Sequence, residues 1–165
     1  YRAGGRQYIA VVAGSRFPTA QGFPRGEWNY RTQQWRVLAF ALDGKDKLPA
    51  PVRPDLTIPD DPKFKLDPAL VKLGEEAYAD RCATCHGANA LSGGSSPDLL
   101  RSPVPLDIAA FTQVVKTGPL VSRGMPKFGE VDDRTVAAIA HFLRSRAREV
   151  AAAQKPVKAV DDKGQ

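Results

Sequence analysis

Arg81-Cys82-Ala83-Thr84-Cys85-His86-Gly87 is the stretch on which the reading of this chain turns. Both cysteines of the protein lie here, and one of its two histidines follows the second at once. A disulfide redox motif has no use for His86. A structural zinc site needs a fourth ligand and usually a second Cys or His pair, whereas the remaining histidine is the distant His141. Two thiols about one helical turn apart do reach two vinyl groups on one side of a porphyrin, and the next residue turns its imidazole onto the iron. The spacing is therefore read as covalent haem c attachment through Cys82 and Cys85, with His86 on the metal. The bland alternative, two ordinary cysteines, leaves the adjacency of all three residues unexplained.

A haem iron has a sixth position, and Met125 is the candidate for it. It is the only methionine, and it sits in a Gly124-Met125-Pro126 loop between two expected helices. Glycine permits close backbone approach, proline keeps the loop from becoming helix, and a thioether is a soft ligand that favours ferrous iron. A methionine filling a gap in the core is the competing reading. His141 is the rival ligand, but helical spacing groups it with Ala137, Arg144 and Arg148, a stripe expected to face solvent. Within Ser96-Pro97-Asp98-Leu99, the Pro97 carbonyl is placed to accept the free ring N–H of His86, and Leu99 to cover a haem face. Otherwise Pro97 is simply a turn residue.

The surrounding pattern is helical. Asp67 followed by Pro68 starts a helix whose stripe is Leu70, Leu73, Gly74, Ala77, Tyr78 and Arg81. A second helix is expected from Leu106 or Asp107 to Thr117, with Ile108, Phe111, Val114 and Val115 inward and Gly118-Pro119 ending it. A third is capped by Asp132 and stapled by Val131 and Val136, and it buries Val136, Ile139, Ala140 and Leu143. Upstream, Arg6–Ala13 and Gln34–Leu42 read as two strands, with a long loop from Gly14 to Gln33 and a turn at Asp43-Gly44. Two strands alone are barely stable, so they need neighbours. Six prolines between Leu48 and Pro68 suggest a semi-rigid tether of up to about 3.1 Å per residue. After Arg148 core residues run out, and the tail is expected to fray.

Composition narrows the function classes. With 165 residues and 42% hydrophobic content the chain can build one modest core. No apolar run approaches the ~20 residues that cross a bilayer, and no signal peptide is recognisable at Tyr1. With no initiator Met, the chain is expected to be a fragment or a processed product. The net charge of +6 could suit an acidic partner, but there is no basic stripe interleaved with aromatics, so no nucleic-acid role is expected. Arg144, Arg146 and Arg148 are read as complementing the dipole at a helix end. Lys116, Arg123 and Lys127 flank the Met125 loop and could steer an acidic partner, unless they are only a solvated surface.

From Leu66 to about Arg148, Cys-Ala-Thr-Cys-His, Ser-Pro-Asp-Leu, Gly-Met-Pro-Lys-Phe and the closing helix together resemble class I cytochrome c. That resemblance implies His86 and Met125 as axial ligands, Pro97 as the partner of His86, and first and last helices crossing near Gly74, Tyr78, Ile139 and Phe142. The first part, Gly5-Arg6-Gln7-Tyr8-Ile9-Ala10-Val11 with Trp35-Arg36-Val37-Leu38-Ala39-Phe40-Ala41-Leu42-Asp43-Gly44, is similar to the end of the β-propeller in quinohaemoprotein alcohol dehydrogenases. These are PQQ-dependent enzymes with a cytochrome c domain after the propeller. The resemblance implies a parent enzyme with PQQ and calcium, neither of which can be assigned to residues here, working in the periplasm. It would pass electrons from PQQ through haem to a downstream acceptor protein.

The expectation is thus a mainly α chain with a class I cytochrome c fold, preceded by a β-hairpin remnant of the last propeller blade. Its parts are 1–47 for the blade remnant, 48–66 for the linker, 67–149 for the cytochrome c domain and 150–165 for a disordered tail. The expected function is one-electron transfer, and the fragment itself is not expected to be catalytic. The competing readings are a free-standing soluble cytochrome c and a haem peroxidase or sensor with an open sixth position.

Overall fold

Prolines and aspartates set where the helices begin. In the computed structural model, which describes residues 1–13, 36–48, 55–92 and 96–154, the Asp67 carboxylate accepts the free N–H groups of Ala69 and Leu70. Pro68, which has no N–H to satisfy, occupies the first position of helix α1, Pro68–Arg81. A short helix α2, Ala83–His86, follows directly. Asp107 caps α3, Ile108–Thr117, in the same manner, and Gly118 ends it in the left-handed conformation. Asp132 caps α4, Asp133–Ala153, and Val131 and Val136 beside that cap are both buried. The caps at Asp67 and Asp132 stand where the sequence predicts them, and for α3, whose start was placed at Leu106 or Asp107, Asp107 is the cap.

The main interface is the crossing of α1 and α4. Gly74 allows it, because a Cβ there would run into the backbone carbonyl of Ala138. One turn on, the rings of Tyr78 and Phe142 meet at 5.2 Å. Phe111 and Val115 of α3 complete the core with Ile139, Leu143 and Ala147 of α4. The α1 stripe is narrower than its periodicity suggests: Gly74, Ala77 and Tyr78 are buried, whereas Arg81 is exposed and pairs with Asp80.

Two expectations for α4 are corrected. The helix continues to Ala153, because Val150 still packs against the core and Ser145 and Arg146 both bond Glu149 across one turn. The stripe of His141, Arg144 and Arg148 does lie along one face, but that face is covered. The segment from Asp55 to Leu66 crosses it as a strap. Arg148 donates to the Asp60 carboxylate and to the carbonyls of Asp61 and Phe64. Arg144 is fully buried and donates to the carbonyls of Pro59 at 3.0 Å and Ser102 at 3.2 Å, while its Nε has no partner among the described residues. Arg101 holds the carbonyls of Leu56 and Thr57. Arg144 and Arg148 thus serve a proline-containing segment, whose carbonyls have few local N–H groups to pair with, rather than the helix dipole, while Arg146 bonds Glu149 and the Asn89 carbonyl.

At the other end of the chain three strands form an antiparallel sheet: β1, Arg2–Ala3; β2, Arg6–Ala13; and β3, Arg36–Ala41, in the order β1-β2-β3. Sequence reading missed β1, which spans only two residues, although the stacking of Tyr1 on Tyr8 at 5.2 Å marks it. Ile9 pairs with Phe40 and Val11 with Leu38 on one face, and Val12 pairs with Val37 on the other. Both faces are therefore apolar, and both are open: Ile9 is 61% exposed, Phe40 52%, Val12 74% and Val37 72%. Among the described residues no strand residue joins the core cluster. The expected loop from Gly14 to Gln33 and the tail beyond Gln154 lie outside the described residues.

Candidate haem attachment site

The site grows out of the junction between α1 and α2. Cys82 is the residue that ends α1, its N–H bonded to the Tyr78 carbonyl, and its own carbonyl accepts the N–H groups of Cys85 and His86. One tight turn therefore presents both sulfurs and the imidazole. The Cys82 thiol is half-buried and Cys85 is exposed. Burial pushes the Cys82 thiol up to about 11, with Cys85 adding to the rise and Arg81 opposing it, so as a free thiol it is protonated at neutral pH.

His86 is buried, and its Nδ1 lies 3.0 Å from the Pro97 carbonyl. A carbonyl can only accept, so Nδ1 carries the proton and Nε2 of the neutral ring keeps its lone pair for a metal. The hydrogen bond also makes the imidazole the stronger donor. The turn beyond His86 is fixed from α1, since the buried Tyr78 hydroxyl donates to the Gly87 carbonyl at 2.8 Å. Gly87 has φ +88° and no room for a Cβ against the Leu91 carbonyl, which accounts for glycine at that position. Tyr78 was expected only at the helix crossing, and its hydroxyl contact leaves no sequence signature.

The remaining predicted residues lie around the same core. Leu99, in a 3-10 turn over Leu99–Arg101, is half-buried and packs against the core cluster, as does Met125. The Met125 loop follows a 3-10 turn over Val121–Arg123 that Gly124 ends at φ +91°. It is tied down by two backbone bonds, from the Met125 N–H to the Leu120 carbonyl at 3.2 Å and from the Phe128 N–H to the Val115 carbonyl at 2.9 Å. Arg123 and Lys127 are exposed, whereas Lys116 pairs with Asp133.

His141 is engaged elsewhere. Its Nδ1 accepts the Asp67 N–H at 3.1 Å and its ring meets Phe64 at 5.0 Å, so it joins α4 to the strap rather than facing solvent. Burial holds its pKa below the usual histidine value, against the pull of the Asp67 carboxylate. Among the described residues no group of three or more His, Cys, Asp or Glu side chains could hold a metal ion by itself.

The donor set fits haem c: two sulfurs for thioether bonds and, in the adjacent residue, an imidazole whose free nitrogen is fixed by its hydrogen bond. Comparison with known proteins agrees. Residues 69–143 match the family described as cytochrome c oxidase, cbb3-type, subunit III. The chain is 36% identical over 152 residues to the dehydrogenase subunit of a quinone-dependent alcohol dehydrogenase from Gluconobacter oxydans, covering 90% of this chain and 20% of that protein. It is 33% identical over 152 residues to quinohemoprotein alcohol dehydrogenase ADH IIB of Pseudomonas putida, covering 90% of this chain and 22% of that protein. The solved structure of ADHIIG from Pseudomonas putida HK5 superposes with a TM-score of 0.65 at 28% identity, over 92% of this chain and 22% of that one. The chain thus spans about a fifth of the length of the curated relatives it matches. Residues 69–143 form a haem c-binding, electron-transferring cytochrome c domain, and about 90% of the chain matches the cytochrome c region of quinohaemoprotein alcohol dehydrogenases.

Proposed function

We propose that this chain is the electron-exit part of a periplasmic PQQ-dependent alcohol dehydrogenase, taking electrons one at a time from PQQ and delivering them to a downstream acceptor protein. When bound, haem c supplies a centre that changes charge by one electron. Cys82 and Cys85 would anchor it, and His86 and Met125 would hold its iron. The observation that carries this reading is the His86 to Pro97 hydrogen bond, because it orients the ring and leaves Nε2 free as donor. Leu99, on the same loop as Pro97, shields a ring face. The tied-down Met125 loop favours a ligand that stays in place through the redox cycle, so little rearrangement accompanies transfer.

The layout that goes with this function is 1–47 as the end of a β-propeller, 48–66 as the joining segment, of which 55–66 lies along α4, 67–153 as the cytochrome c domain and the residues after 153 as a tail. A sheet apolar on both faces supports the first part, since such a sheet belongs between other β layers. The linker keeps the domain near the PQQ propeller at roughly millimolar effective concentration, so no diffusive encounter is needed. Exposed Arg123 and Lys127 steer an acidic acceptor, and that part of the reading fails if acceptor reduction rates do not fall with added salt. Among the described residues no helix is long and apolar enough to cross a membrane.

The test is spectroscopic. The oxidised haem-loaded protein should show a near-infrared sulfur-to-iron charge-transfer band that Met125→Ala abolishes. Rapid carbon monoxide binding by the reduced wild type would instead favour an open sixth position and a sensor or peroxidase.

A further inference from the structure

The strap and the site meet at one side chain. Arg101 closes the 3-10 turn that begins two residues after Pro97. On one side its guanidinium holds the Leu56 and Thr57 carbonyls of the strap. On the other, its Nε lies 3.2 Å from the Asp98 carboxylate as a charge pair without hydrogen-bond geometry, and the two side chains are only 10% and 11% exposed. Asp98 also accepts the Leu100 N–H at 3.1 Å, so its conformation is fixed from both ends. The carbonyl immediately before Asp98 is that of Pro97, the acceptor for His86.

We propose that Arg101 is a positioning residue for His86: by pinning Asp98 between the strap and the 3-10 turn, it aims the Pro97 carbonyl at the imidazole Nδ1. An ion pair this shielded from water holds its geometry far better than a surface pair. Pro97 itself has no backbone N–H with which to anchor the loop, so the anchoring falls to its neighbour. The consequence is that the segment leading into the domain and the imidazole orientation are linked through one guanidinium.

This rests on His86 being the haem ligand, and the two claims fail differently. Loss of that reading would leave the chain colourless, whereas the present one is tested in protein that carries haem. The experiment is proton exchange at the His86 ring Nδ1, followed by NMR in the reduced, haem-loaded chain labelled with nitrogen-15 histidine. In Arg101→Met the exchange should be roughly tenfold faster than in the wild type, the size expected when one partner of a buried charge pair is lost. Arg148→Met serves as the control, because it frees the strap at Asp60, Asp61 and Phe64 without touching Asp98, and its exchange should stay within about twofold of the wild type. If Arg101→Met does not fold, Asp98→Asn keeps the acceptor for Leu100 but removes the charge pair, and it should accelerate exchange in the same way. Unchanged exchange in folded Arg101→Met or Asp98→Asn, or equal acceleration in Arg148→Met, would overturn the proposal.

Discussion

The helical domain and the N-terminal sheet use apolar residues in opposite ways. In α1, α3 and α4 every large buried side chain faces another within the chain, and even the buried Arg144 has carbonyls for its Nη atoms. In β2 and β3 the apolar residues line both faces and stand open to water. The first region is complete within itself, and the second has the composition of an interior without the layers that would make it one. Stability should therefore be concentrated in the helices, and substitutions should show it.

The largest effect is expected at the helix crossing. Gly74→Val drives side-chain atoms into the Ala138 carbonyl and should cost more than about 3 kcal/mol, enough to abolish cooperative helical melting by circular dichroism. Next comes Arg144→Ala, which strips the partners from buried carbonyls and should cost about 3 kcal/mol in a denaturant titration. Its counterpart in the sheet, Arg6→Ala, breaks an ion pair whose side chains are 63% and 60% exposed and should change stability by less than about 0.5 kcal/mol. Equal losses in these two variants would erase the contrast between the regions.

A pH titration sharpens it further. The folded state keeps His141 neutral, because a protonated Nδ1 cannot accept the Asp67 N–H, and burial lowers its pKa from 6.5. Below 6.5 the unfolded chain therefore binds more protons than the folded one. The stability contributed by the neutral ring is fully present above 6.5 and is lost as pH falls through the lower folded value. His141→Gln, which accepts without titrating, should remove that part of the pH dependence of the melting temperature. The smallest effect is expected for Val12→Lys, which should leave the helical melting temperature unchanged while reducing self-association of the chain, as judged by light scattering.

Local chemistry was the part of this fold that could be read from sequence. Asp67 with Pro68, and Asp132, announce their helices because a carboxylate before a helical run meets free N–H groups whatever surrounds it. The attachment turn was legible because its residues are contiguous, and the Pro97 partner because it lies in a short loop eleven residues on. The strap was not. Arg148 meets Asp60 across 88 residues and Arg144 meets Pro59 across 85, and periodicity says which residues share a stripe, not what covers it. The proline run was read as a tether from composition alone. From Leu56 to Phe64 its carbonyls are instead held by three arginines, a pairing no local pattern encodes.

The account stands on the attachment of haem to the turn at Cys82. Its most direct test is the intact mass of the chain, matured in a periplasm competent for cytochrome c assembly, together with its pyridine haemochrome spectrum. One haem added to the polypeptide mass, with the spectrum of two thioether bonds, is the predicted result. A colourless product at the mass of the bare chain would contradict it.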